Sequence, residues 1–287
     1  MFSNHLLAAL TALLAVAACA SMEEPNELED DGFADLGGKT DGDADWTSIG
    51  HGVAYQRVNT GNAILIAYGG YSAKLAHSAA WASELVDARL GAADVGHIYA
   101  IKGPADVTYA AREIANTKLR AHLETLSAPD DEAPATDAPI YIVAHSSGSY
   151  VAHELLSQLD ASAATSTLAR IVYANLDGGG YGLTRSIASQ LAGLTFAYAH
   201  DPTLSRGLSQ NSGTAIALGA AYAPLGASFE VRVPNSGCAS GAGWCLHDAV
   251  ITHRPHNPYH YDLARDYTDF VDRAVTTEYL EQFLPSP

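Results

Sequence analysis

The chain has 287 residues, 48% hydrophobic and 16% charged, which suits one globular domain with short appendages and a core that needs no staples. It carries 15 Lys and Arg against 32 Asp and Glu, a formal net charge of −17. A nucleic-acid surface needs clustered basic residues, and none is present, while the acidity disfavours anionic lipid headgroups. A neutral substrate is unaffected by this balance.

Residues 6–18 form an almost unbroken apolar run ending in small residues. It is too short to span a bilayer as a mature helix but has the length of a signal h-region, although residues 1–5 contain no Lys or Arg. Residues 1–18 are therefore predicted to be a signal peptide. The run ends Val16-Ala17-Ala18-Cys19, which resembles a bacterial lipobox. That resemblance implies a lipidated Cys19 as the mature N-terminus and membrane contact only through this anchor. The alternative is an ordinary signal peptide cut nearby, leaving a secreted protein.

Residues 21–45 are rich in Glu, Asp and Gly, opposed only by Lys39. Such a stretch buries too little apolar area to offset its ordering entropy, so residues 19–49 read as an acidic linker and 50–287 as the folded domain. Asp41, Asp43 and Asp45 imitate the opening of a calcium loop, but Trp46 and Gly52 occupy the positions of its turn glycine and its bidentate Glu.

From residue 50 the chain alternates. Apolar runs at 63–68, 97–101, 140–144, 170–176, 194–199 and 229–233 have the length and the Ile, Val, Tyr and Phe content of buried strands. Residues 52–58 add an edge strand or hairpin arm. Helical periodicity falls at 73–90, 107–126 and 149–159, and more weakly at 184–191 and 208–222. This alternation predicts an α/β fold with a mainly parallel sheet and helices on both faces, with its site at the carboxyl ends of the strands.

The third run leads into Ala144-His145-Ser146-Ser147-Gly148 and then a helix. This is the small-x-Ser-x-Gly form of a nucleophile elbow, where a strand turns sharply into a helix and small flanking residues avoid a backbone clash. Ser147 would require His145 at a small position, so Ser146 is selected. Here the chain resembles the α/β-hydrolase superfamily, its elbow being similar to those of certain bacterial lipases. The resemblance implies a serine hydrolase of the lipase or esterase type. One oxyanion donor should be the Ser147 amide; the other lies on the loop Gly69-Gly70-Tyr71-Ser72, with Tyr71 or Gly70 as the donor.

The family order Ser, acid, His places the base after the last strand. His247 is selected from His247, His253, His256 and His260, because Cys245 is two residues before it. An exported chain would pair Cys238 with Cys245, steadying that loop. His253, His256 and His260 read as a rim loop rather than a metal site, since Arg254 and two prolines intervene; His256 is the second choice of base. His145 reads as a packing or rim residue.

Two aspartates end consecutive strands. Counting from the elbow, the acid follows the second strand, which selects Asp201; some lipases place it after the first, which would select Asp177. The resulting chemistry needs no metal or organic cofactor. The substrate class is a small-molecule, lipid or polymer ester; an inactive binding lipoprotein and an acyltransferase or peptidase remain the alternatives.

Overall fold

The computed structural model describes residues 46–251, apart from 59, 72, 89–94, 105–112, 127–136, 163, 242 and 249. The apolar N-terminal run, Cys19, the tether up to residue 45, and His253, His256 and His260 lie outside the described residues. Among the described residues no helix is long and apolar enough to cross a membrane.

Eight strands form one sheet: β1 (Thr47–Gly50), β2 (Val53–Arg57), β3 (Ala63–Tyr68), β4 (Val95–Ile101), β5 (Ile140–His145), β6 (Ile171–Leu176), β7 (Gly193–His200) and β8 (Ala227–Arg232). Their order is β1-β2-β4-β3-β5-β6-β7-β8. The β1–β2 hairpin pairs antiparallel to β4, and all pairings from β4 to β8 are parallel. This is the α/β-hydrolase fold. The sheet starts at Thr47, within the stretch read as linker, because Trp46 and Ile49 pack against the core.

The central strands read as continuous apolar runs because both faces are covered. Alternate residues serve alternate layers. Leu65, Ala67, Tyr141, Val143 and Leu176 meet Trp81, Ala82 and Leu85 of α1 (Leu75–Ala88) and Leu246 of α7 (Gly243–Asp248). Ile64, Ile66, Ile142 and Tyr173 meet Leu119 of α2 (Glu113–Leu126), Val151 and Leu155 of α3 (Gly148–Ala161), and Leu168 of α4 (Thr165–Leu168). The same face receives Ile187 of α5 (Arg185–Ala188) and Ala215 of α6 (Ser212–Tyr222).

Two helical segments are shorter than their periodicity predicts. The 184–191 segment is the single turn α5, with Thr184 capping it through the Ile187 amide at 3.2 Å. The 208–222 segment becomes helical only at Ser212, because Leu208 bridges to His200 and Ser209 pairs with Ala199.

Beneath the sheet, His153 of α3 is buried; its Nδ1–H donates to the Tyr181 carbonyl at 2.7 Å and its Nε2 accepts from the Tyr173 hydroxyl at 2.9 Å. Burial lowers its pKa to about 4, against a smaller opposing effect of the Tyr181 bond. The unfolded chain binds this proton near pH 6.5 and the native one does not. Stability conferred by neutral His153 is thus present above about pH 6.5 and lost as pH falls toward 4, by roughly 3 kcal/mol. Urea unfolding between pH 7.5 and 4 should show a shallower decline for His153→Asn than for the wild type.

Candidate active site

Five loops meet at the carboxyl edge of the sheet. The first is the β5–α3 turn. Ser146 sits there with φ +54°, in the left-handed region that non-glycine residues rarely occupy. Its N–H donates to the Leu176 carbonyl at 3.0 Å, tying the turn to the end of β6. The small flanking residues have a local cause: a Cβ on Gly148 would stand 2.4 Å from the Gly69 carbonyl oxygen, and Ala144 is fully buried.

The loop after β3 lies directly over this turn. A Cβ on Gly70 would sit 3.2 Å from Ser146 Cβ and 2.9 Å from His145 Nδ1. Gly70 therefore permits a close approach that any side chain would block. Among the described residues, the Gly70, Tyr71 and Ser147 amides have no backbone acceptor outside regular elements. Tyr71 itself is 44% exposed.

The loop after β6 carries Asp177, also at positive φ (+48°) and fully buried. Its Oδ2 accepts from His247 Nδ1 at 2.6 Å and from the Asn211 amide at 3.2 Å; its Oδ1 accepts from Ser209 Oγ at 2.7 Å. Asn211 Nδ2 also donates to the Asp177 carbonyl at 2.7 Å. The glycines that follow are strapped to the elbow. Ser149 Oγ accepts from the Gly179 amide at 3.0 Å and donates to the Ser146 carbonyl at 2.7 Å. Asn175 Oδ1 takes the Gly178 amide at 2.9 Å, and its Nδ2 donates to the Gly179 carbonyl at 2.8 Å.

His247 is on α7, and only 4% of it is exposed. Leu246 anchors the helix in the core, and the Cys238–Cys245 disulfide ties it to the loop after β8. Trp244, 51% exposed, meets the His247 ring edge-on at 5.3 Å between centroids.

The preference for Asp201 is corrected. It lies at the end of β7, one strand further out, where both its oxygens are taken. Oδ1 accepts from the Thr203 amide at 2.9 Å and hydroxyl at 2.6 Å; Oδ2 accepts from the Ser236 amide at 2.8 Å and hydroxyl at 2.6 Å. Burial alone would raise its pKa, but these donors together hold it well below the usual carboxylate range. Asp201 clasps the loop leading to Cys238, and Asp177 is the carboxylate brought to His247. Asp248 instead belongs to a cluster with His145 and His247 whose ligand-type atoms lie within 4.8 Å of one another. His145 Nε2 donates to the His247 carbonyl and His247 Nδ1 to Asp177.

Ser209, Asn211, Ser149 and Asn175 escaped the sequence reading. The run Ser209-Gln210-Asn211-Ser212 is dense in helix-capping residue types, and that signal could have moved the start of α6 and freed Ser209 and Asn211.

No protein-family model and no curated protein matches the chain. Among solved structures, the chain is similar to TT1662 from Thermus thermophilus, with 14% identity over 82% of this chain and 94% of that one and a TM-score of 0.38.

Proposed function

We propose that the protein is a serine hydrolase that cleaves carboxylic esters through an acyl-enzyme on Ser146. The observation that carries this reading is the buried 2.6 Å bond from His247 Nδ1 to Asp177, taken with a serine held in the left-handed region at a strand-to-helix turn. Asp177 fixes the tautomer that leaves His247 Nε2 free to act as base, and stabilises the imidazolium that forms. His247 takes the Ser146 Oγ proton as Oγ attacks the acyl carbon. Amides of Ser147 and of Tyr71 or Gly70 receive the oxyanion, and His247 returns the proton to the leaving alcohol. Water, deprotonated by the same histidine, then releases the acid. This sequence requires no metal or organic cofactor.

Esters are favoured over peptides by the surface around the site. Tyr71 and Trp244 place exposed aromatic rings on the oxyanion loop and beside the base, apolar bodies suited to an acyl chain or aromatic ester. Export, with or without a lipid on Cys19, belongs to the same proposal; the cysteine pair near His247 supports it.

The reading is tested by acid-quenching the protein during p-nitrophenyl ester turnover and measuring its intact mass. A covalent acyl adduct that vanishes in Ser146→Ala is expected; turnover without a Ser146 adduct would refute it. Gly70→Ala is a second probe. The added methyl meets His145 and Ser146, so kcat should fall by about 10²-fold, with a stability loss of roughly 1–3 kcal/mol in urea unfolding.

A further inference from the structure

We propose that His145 is a positioning residue for the base: its imidazole pins the His247 backbone to the nucleophile elbow while its other edge seats the oxyanion loop. The proposal rests on the serine-hydrolase reading for its catalytic consequence, but the contact itself does not. His145 ends β5 and is only 5% exposed. Its Nε2 lies 3.1 Å from the His247 carbonyl oxygen, 102 positions along the chain. A carbonyl can only accept, so the proton is on Nε2 and Nδ1 is bare. The two rings also pack at 4.6 Å between centroids, tilted by 37°. On the opposite side, Gly70 closes over Nδ1 so tightly that a Cβ there would stand 2.9 Å away.

This arrangement answers a local need. The helix carrying His247 has six residues, and its last carbonyls lack partners within it. Its base must nonetheless be fixed to within a fraction of an ångström. Asp177 fixes the imidazole and Leu246 fixes the helix in the core, whereas His145 ties the His247 carbonyl by a hydrogen bond to the strand that ends at the nucleophile. Burial, and then the neighbouring His247, hold His145 well below the ordinary histidine pKa. It therefore stays a neutral donor and adds no charge beside the imidazolium formed during turnover.

The test compares the full-length wild type with His145→Phe, which keeps ring volume and removes the donor, and His145→Gln, whose amide can reach the same carbonyl. His145→Ala replaces the Phe variant if that one does not fold. The first readout is the low-field proton resonance of His247 Nδ1–H, assigned by its loss in His247→Gln. It should be sharp in the wild type and in His145→Gln, and broadened or lost in the donor-less variant. On a p-nitrophenyl ester, kcat should fall by about 10²-fold in the donor-less variant with KM nearly unchanged, and recover largely in His145→Gln. An unaltered resonance and kcat in the folded donor-less variant would overturn the proposal, as would equal impairment of both variants. The resonance is independent of turnover, so a wild type that fails to react with a fluorophosphonate would defeat the serine-hydrolase reading and leave the positioning result standing on its own.

Discussion

Asp177→Asn is expected to lower kcat on a short-chain p-nitrophenyl ester by about 10⁴-fold at neutral pH, with little change in KM. An amide at this position can still contact His247, but it can present its NH₂ to Nδ1, favouring the tautomer with the proton on Nε2. The base is then occupied where it should be free. The amide also cannot balance the imidazolium. Ser209, which donates to the other oxygen, would hold the substituted side chain in place, and only the Asn211 amide, which shares Oδ2 with His247, would lose its acceptor, so the loss should be mainly chemical. Asp201→Asn is the control. It weakens the clasp on Thr203 and Ser236 and should reduce thermal stability while leaving kcat far closer to wild type. A larger kcat loss at 201 than at 177 would reverse the assignment.

Ser146→Ala carries the largest expected effect, a fall in kcat of about 10⁶-fold. The methyl group keeps the Cβ against which Gly70 packs, so the oxyanion loop and the His247–Asp177 pair should persist. Replacing a polar side chain at positive φ with alanine neither relieves nor adds much backbone strain, so the folded state should survive. Ser147→Ala is the matching control. Its hydroxyl finds no hydrogen-bond partner among the described residues and its proposed contribution is a backbone amide, so kcat should change little.

The fold was legible in the sequence because a doubly covered parallel sheet writes its strands as apolar runs. The six runs at 63–68, 97–101, 140–144, 170–176, 194–199 and 229–233 correspond to strands β3 to β8, with ends shifted by at most two residues. The elbow was legible for a different reason: the turn at Ser146 demands small neighbours, and Gly148 meets the Gly69 carbonyl. Periodicity could not find β1, whose four residues Thr47–Gly50 are half-exposed or exposed and gain their order from pairing with β2.

The carboxylate that pairs with His247 was not legible. Asp177 and Asp201 both follow strands and both are buried, and no local pattern tells which carboxylate faces a histidine 70 or 46 residues later. Hydrogen-bond donors distinguish them: Thr203 and Ser236 place two donors on each oxygen of Asp201, while Asp177 Oδ2 takes one amide besides His247 Nδ1. His145 was passed over for a similar reason. Its partner is a backbone carbonyl 102 residues away, and a carbonyl carries no sequence signature.

The central claim, that Ser146 is an activated nucleophile, is tested most directly by labelling the purified protein with a fluorophosphonate and mapping the adduct by peptide mass spectrometry. Stoichiometric labelling confined to Ser146 is expected, abolished in Ser146→Ala and slowed strongly in Asp177→Asn. An unlabelled wild type, or an adduct on another residue, would contradict it.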